Sequence, residues 1–366
     1  MADLWRMFRT GLTVLRKPLR VYTPPLHFQL EPATGCNLLC KTCQVPGYTE
    51  RKVMPLDKFV HAFDQIKPKK IGLSGAGEPF LNRDMIDIIS YATRQGASVL
   101  TTTNFTLCRP KLEELAASGL KLLKVSLDAA TPETYHRIRG KDLFNHILED
   151  LKSLQEIKKK RGAAFPYVRL QFVLQHDNLD EAPALTQVAR DVGADSVYFQ
   201  PLETLLISER KEALTEGVTR ERMEQRLKEA LASAEAAGLG TNAGVLLRSL
   251  PLYYRKYEAG VPATPPSRVC LLPWFSVYIT VEGNVRPCCS FGEGETLVMG
   301  NVFEEPFDRI WNNDKYVAFR QAALDRKLAY AVCRNCTPNR LRDFMSLSAV
   351  LPGFFGRRRP KVEAGG

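Results

Sequence analysis

The chain predicts an α/β fold built on a parallel sheet. Three observations carry this. Apolar runs of strand length recur between residues 27 and 202, segments of helical period separate them, and the motifs able to bear chemistry fall at the carboxyl ends of the runs. In order, the strands are HFQLEP (27–32), KIGLSG (70–75), SVLTTTN (98–104), LLKVSLD (122–128), YVRLQFVLQ (167–175) and SVYFQPL (196–202). LDKFVHAFDQI and RDMIDIISYATRQ are among the helical segments between them, and the repeated β-then-α order implies right-handed crossovers. Residues 205–240, rich in Glu, Lys, Arg and Ala, read as surface helix and connector. Residues 241–268 read as a linker that is Pro-rich over 259–268. VYITVEGNVRPC then reads as a β-hairpin turning at Glu282-Gly283-Asn284.

Length and composition suit a globular protein. A chain of 366 residues can bury one large core and a smaller one, and 45% hydrophobic with 25% charged residues is ordinary for that class. The nine cysteines are an odd number in a long chain. The first twenty residues scatter Arg6, Arg9, Arg16, Lys17 and Arg20 and do not read as a secretory leader. Clustered cysteines in such a chain read as metal ligands, and the expected location is cytoplasmic. No stretch reaches the ~20 apolar residues that cross a bilayer.

The net charge of +11 is partly local. Lys158, Lys159, Lys160 and Arg161 sit at a predicted helix end, where cations are favoured. Leu4, Trp5, Phe8, Leu12 and Leu15 form an apolar stripe with arginines beside it, and Leu351-Pro-Gly-Phe-Phe-Gly precedes Arg357, Arg358, Arg359 and Lys361. Both ends suit an anionic membrane surface, hence peripheral contact with the inner membrane face. The competing reading packs the first helix on the barrel. No nucleic-acid module or interleaved basic–aromatic stripe is present, so no nucleic acid is expected.

Cys36, Cys40 and Cys43 follow the first strand with C-x3-C-x2-C spacing. A cubane takes one ligand per iron, so three thiolates leave one iron open to an outside molecule. The competing reading is a structural zinc knuckle, which needs a fourth ligand, and no His or Cys lies within the next dozen residues. The loop resembles the defining motif of the radical SAM superfamily. That resemblance implies a partial (β/α)6 TIM-like barrel over 27–240. It also implies a [4Fe-4S] cluster on Cys36, Cys40 and Cys43 that binds S-adenosyl-L-methionine (SAM). The family's aromatic residue before the third cysteine is here Thr42.

Further segments match in order. Gly75-Ala76-Gly77-Glu78-Pro79 after the second strand resembles the family's GGEP motif, with Ala76 for the first glycine; there the backbone, helped by the Glu, holds the methionyl amino group. Asn104 occupies the T-N position. Ser126 and Asp128 resemble the S-x-D segment that bonds the ribose hydroxyls or the methionyl end, and Arg139 matches an Arg that reaches the SAM carboxylate. Taken singly, each of these four also reads as a cap or a surface pair. Thr131 and Pro132 read as a capped helix start. Gln171 and Gln175 are further candidate contacts.

Cys270, the hairpin, Cys288 and the pair Cys333-Arg-Asn-Cys336 resemble the SPASM/twitch extension. The resemblance implies one auxiliary [4Fe-4S] cluster fully ligated by Cys270, Cys288, Cys333 and Cys336, in a small hairpin/helix domain over 269–340, followed by a basic tail over 341–366. A zinc site competes here too. Cys289 is then a spare, and Cys108, in an exposed-looking loop, a bystander.

The chemistry implied is reductive cleavage of SAM by an electron from flavodoxin or ferredoxin. The resulting 5′-deoxyadenosyl radical takes a hydrogen atom from a substrate carbon. The auxiliary cluster can accept a second electron, giving a net oxidation. The 26 residues before the first strand are too short for a peptide-recognition domain, so the expected substrate is a small molecule (a sugar or aminocyclitol) or a lipid-linked one. Peptide maturation, redox-neutral epimerisation and a zinc-binding interaction module are the alternatives. Glu203 is a candidate base.

Overall fold

The computed structural model describes residues 2–43, 51–202, 215–255, 269–289, 297–328, 330 and 333. All six predicted strands form: β1 (His27–Leu30), β2 (Lys70–Leu73), β3 (Ser98–Thr103), β4 (Leu122–Ser126), β5 (Tyr167–Leu174) and β6 (Ser196–Pro201). They lie side by side in chain order and every neighbouring pair is parallel. β7 (Gly240–Thr241) extends the sheet beyond β6, again parallel.

Alternation sets the layers. On β5, Val168, Leu170, Phe172 and Leu174 are buried, while Tyr167, Arg169, Gln171 and Val173 on the other face are only partly so. β1 repeats this, with Phe28 and Leu30 at 0% exposure and His27 and Gln29 partly open. The apolar face carries the helices. Leu56–Ile66 buries Phe59, Ala62, Phe63 and Ile66 at helical spacing, and Phe59 and Phe63 meet Tyr91 of the next helix edge-on at 6.2 and 5.7 Å. The polar rows are left to the inside of the curved sheet.

The cysteine-bearing segment joins the same sheet. β8 (Ser276–Ile279) lies parallel to β1, then β9 (Asn284–Arg286) and β10 (Gly300–Asn301) follow antiparallel. Gly283, at φ +86°, makes the predicted hairpin turn; a Cβ there would stand 2.4 Å from the Phe303 ring.

One element differs from expectation. The stretch 241–268, expected as a linker, begins with the helix Ala243–Arg255. Asn242 fixes its start by accepting from Phe199 N (2.8 Å) and donating to Phe199 O (2.7 Å). Pro251 inside the helix hid it, since proline ordinarily ends a helical reading. The helix Ala2–Arg16 packs with its polar side: Arg6 donates to Pro25 O (3.0 Å), and Thr13 and Thr23 share a 2.9 Å hydrogen bond. Trp5, Phe8 and Leu15 are left 61%, 55% and 74% exposed. Among the described residues no helix is long and apolar enough to cross a membrane.

Candidate metal and cofactor site

The first cysteine loop leaves β1 at Gly35, whose φ of +76° turns the chain sharply. Leu38 N donates to Cys36 Sγ at 3.4 Å and Asn104 Nδ2 at 3.6 Å. Arg139 Nη1 stands 3.5 Å from Cys40 Sγ. Asn104 also donates to Asn37 Oδ1 (2.9 Å), and Asn37 donates to Thr106 Oγ1 (2.8 Å), tying the loop to the end of β3. Burial pushes the Cys36 thiol up, and the Glu78 and Cys40 charges act the same way; the two N–H donors oppose them. The site therefore already holds donors aimed at sulfur.

The loop after β2 lies against the cysteine loop. Glu78 N donates to Gly35 O at 2.9 Å. A Cβ on Gly77 would come within 2.3 Å of Gly35 O and 2.7 Å of Ala33 O, so only glycine permits this approach. Gly75 is equally confined, by the Glu31 side chain at 2.5 Å, and Glu31 Oε1 accepts from Ala76 N (2.8 Å). Glu31 also accepts from Tyr278 OH and Val281 N, each at 3.3 Å, linking this loop to β8. Pro79 opens a short 3₁₀ turn capped by Glu78. The buried Glu78 carboxylate accepts from Thr103 Oγ1 (2.6 Å), Phe80 N (3.1 Å) and Asn104 N (2.7 Å). Burial pushes its pKa up and these bonds pull it back.

Asp128, past β4, holds φ +58°. Its Oδ2 accepts from Arg139 Nη2 at 2.5 Å and its Oδ1 from Val173 N at 2.7 Å. Burial raises the Asp128 pKa, and the Arg139 charge opposes that. Arg139 is delivered by the helix Pro132–Arg139, capped by Thr131 Oγ1 on Thr134 N (3.3 Å) and ended by Gly140 at φ +75°. Ser126 lies opposite Gln171 on the inward row. Every carboxylate oxygen of Glu78 and Asp128 accepts a hydrogen bond from the protein itself.

The second set begins before β8. Burial pushes the Cys270 thiol up to about 12, and the charge of Cys288 acts in the same direction. Cys333 N donates to Tyr330 O at 3.0 Å, and Cys333 packs against the core. Cys336 and Glu203 lie outside the described residues. Cys108 corrects the expectation of an exposed loop: it is 0% exposed in the main core, and burial drives its thiol pKa well up. Among the described residues no three Cys, His, Asp or Glu side chains converge as they would on a single metal ion.

Comparison with known proteins decides the family. The Radical SAM superfamily profile matches residues 30–183, and that of the SPASM iron–sulfur cluster-binding domain matches residues 270–337. The chain belongs to the radical SAM superfamily. It carries a C-terminal SPASM domain. An AdoMet-dependent heme synthase of Methanosarcina barkeri is 26% identical over 77% of this chain and 81% of its own. A PqqA peptide cyclase of Gluconobacter oxydans is 26% identical over 79% and 77%. Among solved structures, Streptococcus suis SuiB bound to S-adenosylmethionine superposes with a TM-score of 0.64 at 15% identity, covering 89% of this chain and 75% of SuiB. anSMEcpe with bound AdoMet gives 0.58 at 16%, covering 87% and 90%. These two likenesses concern the fold.

Membership implies SAM, its [4Fe-4S] cluster and auxiliary iron–sulfur ligation, and the residues fit. A cubane places each thiolate on a different iron, so its ligands stand apart rather than converging on one ion. Polar atoms in the same region lack partners inside the protein: Tyr135 OH, Arg139 Nε and both amide atoms of the fully buried Gln175. Leaving such groups unsatisfied costs about 1–3 kcal/mol each, which a polar ligand would offset. The charges of Cys36, Cys40 and Asp128 all bear on Tyr135. Sequence reading missed Tyr135 and Glu31. The first sits in a helix pattern as an ordinary core aromatic, and the second ends a strand as an ordinary polar residue.

Proposed function

We propose that this protein cleaves SAM reductively and uses the 5′-deoxyadenosyl group to take a hydrogen atom from a substrate C–H bond, with a net oxidation as the outcome. The observation that carries the reading is the knot of Asn104, Glu78 and Arg139. It joins the cysteine loop to the ends of β2, β3 and β4, beside polar atoms that await a ligand. The bound cofactors supply one-electron chemistry; the protein orients and encloses. Gly75, Ala76 and Gly77 present backbone to the methionyl end, and Pro79 stiffens the turn. Ser126 faces the ribose. Asp128 holds Arg139 in place, and Arg139 meets both Cys40 and the SAM carboxylate. Glu78 and Asn104 brace the loop. Cys270, Cys288, Cys333 and Cys336 would hold one auxiliary [4Fe-4S] cluster, which would supply one-electron acceptor capacity for a net oxidation.

A flavodoxin or ferredoxin supplies the first electron, in the cytoplasm. The substrate is a small or lipid-linked molecule. The exposed Trp5, Phe8 and Leu15, with Arg9 and Arg16 beside them, support peripheral contact with an anionic membrane. The similarity to a PqqA peptide cyclase favours a second reading, modification of a peptide. Anaerobic reconstitution with dithionite and SAM tests the central step. 5′-Deoxyadenosine should accumulate with the wild-type protein and fall to background with Cys36→Ala; none from the wild type refutes the reading.

A further inference from the structure

The inward rows of the sheet hold a group of cations that the SAM site does not use. Lys124 of β4 lies directly opposite Arg169 of β5, and Arg169 lies opposite Ser196 of β6. Arg169 Nε donates to Ser196 Oγ at 3.4 Å, and its guanidinium stands 5.2 Å from the Tyr198 ring centre. Lys70 of β2 is 5% exposed, and the charges of both Lys124 and Arg169 reach it across the interior. Burial and these like charges push Lys70 down to about 7. Lys124 is pushed to about 8 by burial and Arg169, and the neighbouring His27 to about 3 by burial, Lys70 and Lys124. The charge of Arg169 bears on Lys124, and the phenols Tyr198 and Tyr167 bear on Arg169; no ion pair of either cation with a carboxylate is formed among the described residues.

Two partly desolvated cations side by side, as Lys124 and Arg169 are, cost stability, and an anion between them would offset that cost. Their depth is also informative. Lys124 precedes Ser126 by two residues on β4, and Arg169 precedes Gln171, the partner of Ser126, by two on β5, so both lie about 6–7 Å below the Ser126–Gln171 pair. The geometry points to an oxyanion site inside the barrel, where Lys124 and Arg169, with Lys70 beyond, take a carboxylate or phosphate group of the substrate. This rests on the functional reading above, since it is the strand ends that would carry SAM. The substrate enters with its anionic group downward, and the carbon to be oxidised lies a few bonds above it. Arg169 offers a planar fork that suits either oxyanion, and Lys124 a point charge.

Calorimetric titration tests this on full-length, cluster-reconstituted protein with SAM. Inorganic phosphate and succinate are added separately, with KCl holding ionic strength constant. Saturable one-site binding of phosphate assigns a phosphoryl group, and of succinate a carboxylate. In Lys124→Met and Arg169→Met the affinity should fall about tenfold or more. Binding of neither anion, or unchanged affinity in both variants, overturns the inference. The melting temperature of the wild type gives a readout that needs no variant: the bound anion should raise it where chloride does not, and no rise contradicts the site. Wild-type protein that cleaves SAM yet binds neither anion defeats this inference alone. Protein that binds an anion but never cleaves SAM defeats the functional reading alone.

Discussion

Arg139 touches a carboxylate and a cysteine sulfur with the two arms of one guanidinium. Replacing it with Met leaves Asp128 buried without its counter-charge, a change that typically costs about 3–5 kcal/mol. Arg139→Met should therefore lower the melting temperature by several degrees and also lower SAM affinity, read by equilibrium dialysis. Wild-type values for both would refute its role. Lys70 and Lys124 give a pH prediction. Their folded pKa values, about 7 and about 8, lie below the ordinary lysine value of 10.5, so between those limits the unfolded chain binds more protons. Stability should rise with pH from 7 towards 10 on this account, as folded lysines shed the charge that Arg169 opposes. A saturating oxyanion should flatten that rise. Urea melts across this range, with and without phosphate or succinate, check both. These residues were legible in sequence only as types. Nothing in the string places Lys70, Lys124 and Arg169 in one interior, because the register that sets Lys124 opposite Arg169 is not local and Lys70 lies two strands away from Lys124.

At the scale of elements, two loops and one strand edge form the site. Gly77→Ala should drive a Cβ into Gly35 O and Ala33 O and displace the cysteine loop. The expected result is loss of most of the iron bound by the first cluster, and full iron content would contradict the packing. The strands, the cysteine loop and the Gly75–Pro79 turn were readable because period-2 patterning and glycine–proline punctuation are local signals. The helix Ala243–Arg255 was not, since Pro251 mimics a break. Nor was the partner of β8: the pairing with β1 joins residues some 250 positions apart, and no local pattern encodes it. The N-terminal stripe was legible, but its direction was not. Arg6, Thr10 and Thr13 take the inward face, and Trp5 and Phe8 stack 5.7 Å apart outside. If that stripe meets lipid, the protein should co-sediment with vesicles containing anionic lipid. Trp5→Ala/Phe8→Ala should release most of it, and equal sedimentation of both proteins would dismiss the contact.

Over the whole molecule, one sheet carries both cysteine sets. β1 leads into the first set, β8 and β9 stand between Cys270 and Cys288, and Glu31 bonds across from β1 to the start of the hairpin. The glycine-rich loop after β2 and the hairpin between Cys270 and Cys288 are thus braced by one carboxylate. The central claim is that Cys36, Cys40 and Cys43 leave one iron open to SAM. Low-temperature EPR of the reduced Cys270→Ala/Cys288→Ala protein tests it most directly, because about four irons should remain, all in the first cluster. Addition of SAM should shift the spectrum of that cluster. A spectrum indifferent to saturating SAM would contradict the account.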